Sequence, residues 1–301
     1  MIVLKKICKS FADKKVLNNI SLHIAPGESV GIIGLNGAGK TTLLNIIAGT
    51  LNPDNGFIRV NGTKQLITDK KALKDLAYVS GTKSQLWNDL SVKSSYDNLM
   101  VMYGSNREEY NKTFLKMDEI LNVSELMNAT PKELSLGEKM RCELMYAMLI
   151  NPKILMLDEA MIGLDVTVKH KMVEYLERVK GSQTLVYTSH NLLEVEKICD
   201  RIILLDSGKV IYDGAVKSII KEFSPLHKIE LEIDGEIPDF MDIPIAKYSL
   251  TNNLLSIEYD REIVETAQIV KHIMKKNAIN NFRFIEPDLE DTIKKIYERM
   301  L

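Results

Sequence analysis

The stretch "SVGIIGLNGAGKTTLLNIIAG", residues 29–49, decides how the rest of the chain is read. Its first six residues are nearly continuous in apolar side chains, as in a strand buried on both faces, and "LLNIIAG" reads as the start of an apolar helix. Between them "GLNGAGKTT", residues 34–42, supplies glycines, a lysine and two threonines. Glycines let the backbone curl until its N–H groups face one point, and a helix N-terminus adds the positive end of its dipole. Such a loop suits phosphate: Lys40 would reach the β- and γ-phosphates of a nucleotide and Thr41 would hold Mg²⁺. Asn36, Gly37, Gly39, Lys40, Thr41 and Thr42 are therefore the candidate nucleotide contacts here.

Composition narrows the classes around this loop. With 301 residues, 45% apolar and 27% charged, the chain reads as globular, with one large or two modest domains. A net charge of -2 gives no general pull toward nucleic acid, so no nucleic-acid partner is expected. Cys8, Cys142 and Cys199 are far apart and lack CxxC or CxH spacing, which argues against a disulfide framework or zinc site and fits a reducing cytosol. No apolar run approaches the ~20 residues that span a bilayer, and the start of the sequence lacks the apolar core of a signal peptide. Work at a membrane would need another chain to supply the membrane part.

Outward from the loop, "ILMLDE" (154–159), "TLVYTS" (184–189) and "RIILLD" (201–206) repeat the texture of buried strands, and the helical patterns between them predict a largely parallel α/β sheet. "NPDNG" (52–56) and Asn61-Gly62 bracket "FIRV", one strand of an expected antiparallel hairpin. Residues 92–149 are mostly helical in pattern, which predicts a helical subdomain, about 92–150, inserted in the sheet core. After residue 222 the texture changes: "HKIELEID" and "LLSIEYD" alternate like half-buried strands, 261–275 reads as a helix, and "EPDLEDTIKKIYERM" as an amphipathic terminal helix. From Pro225 onward ten Lys and Arg stand against fifteen Asp and Glu, so this part is acidic. The expected division is a nucleotide-binding unit over 1–222 and a small α+β module over 223–301.

Three further motifs carry chemistry. Asp158 ends an apolar strand and can hold Mg²⁺ through water, while Glu159 beside it is a candidate base for the attacking water. His190 follows "TLVYTS", where an imidazole can reach a γ-phosphate. The run "LSLGEKMRCEL" (134–144) opens a helix with Ser135 as N-cap and Glu138 as its capping-box partner, and Met140, Leu144, Met145 and Met148 recur at helical spacing as core residues. Gly137 sits in that first turn although glycine costs roughly 1 kcal/mol against alanine in a helix. Something must approach its backbone closely.

Taken together these residues resemble the nucleotide-binding subunit of an ATP-binding cassette (ABC) transporter: Walker A "GLNGAGKTT", signature "LSLGE", Walker B "ILMLDE", D-loop "GLD" (163–165) and switch His190, in family order over roughly residues 1–222. The resemblance implies a P-loop NTPase ABC cassette, α/β in class, with a mixed sheet core, an antiparallel β subdomain, an inserted helical subdomain and a C-terminal α+β module. It implies ATP and Mg²⁺ as cofactors and a head-to-tail dimer, in which Ser135, Gly137 and Glu138 of one copy close on the nucleotide of the other. Gly137 would then be small so that phosphate can come close. It further implies that Phe11 stacks on adenine, that Asp165 touches the partner subunit, and that the loop near Trp87 receives a polytopic membrane permease. The protein would sit in the cytoplasm, peripheral on the inner face of the membrane.

Departures matter as well. The family's signature is usually LSGGQ, whereas Leu136 and Glu138 stand here, and Glu138 brings negative charge near a phosphate. Ala160 replaces the usual proline after the catalytic Glu. In "YVSGTKSQLWNDLSV" the Q-loop position falls on Thr82, with Gln85 three residues later, so either Gln85 makes the metal and water contact or the loop is altered. The wording of "GTKSQLWNDLSV", "LSLGEKMRCEL", "DEAMIGLDV" and the closing segment is similar to a bacterial subgroup paired with type-two export permeases of the daunorubicin-exporter kind, which implies efflux. The competing reading is a soluble ABC ATPase acting on a macromolecular complex. The lack of a second phosphate loop argues against translation factors of this family, and the short 43–134 segment argues against repair ATPases; an iron–sulfur assembly subunit stays open on the core alone, but the C-terminal module argues against it.

Overall fold

The structure, a computed structural model, describes residues 1–64, 75–81, 83–104, 106–223, 226–234 and 238–300. It divides into two compact units, Met1–Gly214 and Ala215–Leu301.

In the first unit, β1 (Ile2–Phe11), β2 (Lys14–Ile24), β4 (Asn55–Val60) and β5 (Thr63–Lys64) form a sheet in the order β2-β1-β4-β5. The expected "FIRV" strand is the body of β4, which pairs antiparallel with β1 and β5. Its turn is the two-residue Asn61-Gly62 loop, with φ of 49° and 81°. Positive φ at both positions matches the twist of the flanking strands, which is why Asn-Gly is favoured there.

A second sheet holds β3 (Ser29–Gly34), β6 (Leu76–Ser80), β7 (Ile154–Asp158), β8 (Thr184–Thr188), β9 (Arg201–Asp206) and β10 (Lys209–Ala215), in the order β10-β9-β3-β8-β7-β6. β3 runs parallel to both β8 and β9, and β7 parallel to both β6 and β8. The P-loop helix α1 (Lys40–Ile47) follows β3. One apolar cluster gathers Ile2, Leu4 and Ile20 of the first sheet, Leu43 and Ile47 of α1, and Ile32, Ile154, Val186 and Ile203 of the second. Each such side chain contributes roughly 1.5–3 kcal/mol on burial, so α1 is held by packing rather than by helix propensity over its eight residues.

Between β6 and β7 lie α2 (Val92–Tyr103), α3 (Arg107–Leu121) and α4 (Leu136–Leu149). Ser91, Asn106 and Ser135 cap them by accepting amide protons of the first turn. α5 (Val166–Arg178) and α6 (Leu192–Ile198) follow β7 and β8.

The second unit begins with α7 (Val216–Phe223), which packs on the terminal helix α9 (Leu289–Met300). That packing puts α7 with the module, so the unit takes in a helix that begins seven residues before residue 223. β11 (Leu226–Asp234), β12 (Lys247–Thr251), β13 (Leu254–Asp260) and β14 (Ala278–Ile285) form an antiparallel sheet in the order β12-β13-β11-β14. Ile229, Leu231, Ile233, Leu255, Ile257 and Tyr259 line its apolar face with Ile269 and Ile273 of α8 (Thr266–Ile273). The helix expected over 261–275 is confined to α8 because Asp260 Oδ1 accepts the Glu262 amide and its carbonyl accepts those of Ile263 and Val264, making a turn. Among the described residues no helix is long and apolar enough to cross a membrane.

Candidate functional site

The phosphate loop is shaped by its neighbours. A Cβ on Gly34 would stand 2.5 Å from the Leu205 carbonyl oxygen, and one on Gly39 2.7 Å from Leu17 Cδ2 and 2.9 Å from the Val16 carbonyl oxygen, at a φ of +105°. Gly37 has open space but a φ of +84°, so there the backbone conformation favours glycine. Gly39 offers α1 no side-chain cap, which leaves the helix start for an anion. Asn36 and Gly37 are exposed on the lip of the loop, Thr41 is exposed and Thr42 half-buried at the first turn. Lys40 is buried, and its Nζ donates to the carbonyls of Gly34 at 2.7 Å and Leu35 at 3.3 Å. Burial lowers its amine from the ordinary lysine range, while the carboxylates of Glu159 and Asp158 pull it back up. A buried cation between a bare helix N-terminus and two carboxylates fits phosphate accompanied by a divalent metal.

Asp158, 4% exposed, has both oxygens engaged: Oδ1 accepts from Thr188 Oγ1 at 2.6 Å and Oδ2 from the Tyr78 hydroxyl at 3.2 Å. Burial raises the Tyr78 hydroxyl, helped by the Asp158 charge, so it serves as a donor. The parallel register sets this up, since Asp158 stands opposite Ser80 on one side and Thr188 on the other. Thr188 and Tyr78 went unnoticed in the sequence because they reach the site through strand pairing. Only Thr188, at the end of "TLVYTS", carries a local signal.

Glu159 follows with a φ of +54°, a conformation costly for a residue with a Cβ. Its amide donates to the Thr188 carbonyl and Oγ1, both at 3.1 Å, which holds the turn. Its carboxylate Oε1 lies 2.9 Å from His190 Nε2. The His190 loop is anchored from below by Glu194, whose carboxylate accepts from the Tyr187 hydroxyl at 2.6 Å, Ser189 Oγ at 2.9 Å and Asn191 Nδ2 at 3.0 Å. Lys40, Asp158, Glu159 and His190, singled out separately in the sequence, therefore converge at the C-terminal end of the parallel strands.

The signature residues gather elsewhere, against the turn 163–165. Ser135 caps α4 in a full capping box, with the Glu138 carboxylate accepting its amide at 2.9 Å and its hydroxyl at 2.7 Å. Those bonds hold the Glu138 carboxyl below its usual range. Gly137 has a reason inside its own chain: a Cβ there would stand 2.4 Å from the Gly163 carbonyl oxygen. The close approach inferred from the sequence is thus first that of the chain's own D-loop backbone. Leu136, 55% exposed, lies over Gly163. Asp165 has a local role too, its Oδ1 capping α5 through the amides of Thr167 and Val168 at 3.0 Å.

Phe11 is 49% exposed at the end of β1, with Lys9 Nζ 5.5 Å from its ring centre, so it is no core phenylalanine. Gln85 turns its amide back to the Tyr78 carbonyl. Thr82 lies outside the described residues. Trp87 is 38% exposed beside buried Leu86.

The fold is shared with known proteins. A family model for ABC transporters matches residues 17–162. The ABC transporter ATP-binding protein NatA of Bacillus subtilis is 32% identical over 224 residues, covering 73% of this chain and 91% of NatA. The methionine import ATP-binding protein MetN of Coxiella burnetii is 28% identical over 291 residues, covering 91% of this chain and 82% of MetN. A solved ATP-binding subunit of an ABC transporter superposes with a TM-score of 0.68 at 25% identity, covering 74% of this chain and 93% of that one. A dimeric ATP-binding cassette in a post-hydrolysis state, bound to ADP and Pi, gives 0.62 at 25% identity, covering 71% and 98%. With its P-loop ABC fold and with NatA matched along nine-tenths of its length, the chain belongs to the ABC transporter family, as an ATP-binding subunit with ATPase activity.

Proposed function

We propose that this subunit works as a head-to-tail pair whose closing and reopening over two ATP molecules drives a membrane permease, and that the permease exports its cargo. The observation that carries the reading is the convergence of buried Lys40 with Asp158, Glu159 and His190 at one end of the sheet. The amides of the phosphate loop and Lys40 bind the phosphates of ATP, with Asn36, Gly37, Gly39 and Thr42 shaping the loop around them. Thr41 and Asp158 are the residues that would hold Mg²⁺, which when bound would neutralise phosphate charge, and Gln85 would add a water-mediated contact only on leaving the Tyr78 carbonyl. Glu159 polarises the attacking water as general base, oriented by His190 at 2.9 Å. Phe11 stacks on the adenine. Ser135 and Gly137 of the second copy complete the site, Glu138 sets the hydroxyl of Ser135, and Asp165 carries the contact between copies.

Export is supported by the likeness of the signature, D-loop and closing segments to subunits paired with type-two export permeases. MetN is named for import, so direction is decided by transport in inside-out vesicles carrying the co-purified permease, where an exporter accumulates its cargo in the lumen. The catalytic reading predicts that Glu159→Gln lowers kcat by about 10²–10⁴-fold while ATP binding persists. ATP should shift that variant to a dimer in sedimentation. Hydrolysis at the parent rate would remove Glu159 from the mechanism.

A further inference from the structure

Glu143 is a carboxylate 2% exposed on α4, two turns beyond the signature. A buried carboxylate is costly unless its oxygens are satisfied. Those of Glu143 are satisfied by one short segment: Oε1 accepts from the Ser84 hydroxyl, from the Gln85 amide at 2.9 Å and from the Leu86 amide at 3.4 Å, and Oε2 lies 3.1 Å from the Gln85 amide. The same segment is anchored at its other end to the catalytic strand, where the Gly81 amide donates to the Asp158 carbonyl at 2.9 Å. Gly81 is also pressed against Glu159, since a Cβ there would stand 3.0 Å from the Glu159 carbonyl oxygen. Directly after the clamped amides the chain buries Leu86 and exposes Trp87. One loop thus touches the hydrolytic centre at its start, the signature helix at its middle and solvent at its tryptophan.

We propose that Glu143 is a positioning residue that locks the Trp87 loop to the signature helix, so that movement of the helix on ATP closure and seating of a permease at Trp87 are one event. This rests on the head-to-tail, permease-coupled reading above. Glu143 is buried from solvent and bonded to residues 84–86. Its role is to convert a displacement of α4 into a displacement of the loop, which hydrogen bonds of a charged acceptor to two consecutive amides do better than apolar packing, because they fix direction as well as distance.

The test is amide hydrogen exchange in the full chain carrying Glu159→Gln, with and without Mg²⁺ and ATP, read on peptides covering the signature and residues 84–87. In that parent, ATP should slow exchange in both. Glu143→Met keeps the volume and removes both acceptors. It should retain the ATP response at the signature and reduce the response at 84–87 from about tenfold, the factor one charge-assisted hydrogen bond carries, to less than about twofold. Glu143→Gln keeps the Oε1 acceptor but loses the charge and should restore part of the response at 84–87, whereas a merely space-filling role would make Met and Gln equal. Ser84→Ala, which leaves Glu143 in place, should give an intermediate loss. A Glu143→Met loop that responds as the parent does overturns the proposal alone. A parent whose signature does not respond to ATP overturns the dimer reading and takes the proposal with it.

Discussion

The two units of this chain solve the same problem, burying a sheet, in opposite ways. In the cassette, β7 and β8 are buried at every residue, and the polar groups they bury, Asp158, Thr184, Thr188 and the Tyr187 hydroxyl, stand at or next to strand ends. In the module, β11 and β13 alternate, with Ile229, Leu231 and Ile257 inward and the charged Lys228, Glu230 and Glu258 on the other face. A sheet covered on both faces can place a charge out of water only where it is paired for a purpose, so polarity there marks chemistry. A sheet with one wetter face places charge freely, and its charges mark little. The contrast explains why the cassette displays its function in its sequence and the module displays only its fold.

The contrast can be broken by stability measurements, because Trp87 and Cys8, Cys142 and Cys199 all lie in the cassette and report on it alone. The largest expected effect is that of Ile257→Ala, which empties a fully buried site in the module and should cost about 2–5 kcal/mol. Circular dichroism should show an early transition while Trp87 emission melts as in the parent. A matching shift in Trp87 emission would mean that the two units unfold as one. Gly137→Ala should cost about 1–3 kcal/mol, since its methyl meets the Gly163 carbonyl and the D-loop must yield, and here the tryptophan transition moves. An unchanged melt would show that the turn 163–165 gives way without resistance.

The smallest effect concerns thiol reactivity. Burial raises the Cys142 thiol to about 12 and moves Cys199 further in the same direction, so both stay protonated near neutral pH and become reactive only as alkali ionises them or unfolding exposes them. Half-buried Cys8 should take up a maleimide first in native protein. Equal labelling of all three at pH 7.5 would show the core of the cassette opening on the time scale of the reaction.

What the sequence disclosed follows the same divide. The phosphate loop, Asp158, Glu159, His190 and the Ser135 cap are local patterns, each requiring its residue types within a few positions, and the strands that carry them are short apolar runs. β12 and β14 lie at the edges of the module's sheet and read as "KYSLT" and "AINNFRFI", largely exposed, so neither buried-strand texture nor clean alternation marks them. Tyr78, Glu143 and Glu194 were equally illegible as parts of a site: each acts through a partner or a neighbouring strand that only the fold supplies. Gly137 was legible as an anomaly, but its immediate cause, the Gly163 carbonyl, needed the structure.

Lys40 gives the phosphate loop a property that its motif does not state. With its ammonium resting on the carbonyls of Gly34 and Leu35, the loop is stapled in its curled shape by the very group proposed to meet the nucleotide. Arrival of ATP is then an exchange of acceptors on a preformed ring, with little chain disorder to freeze out and little barrier to entry. The association rate should accordingly be set by diffusion and charge, leaving the slow steps of the proposed cycle to the meeting and parting of two copies.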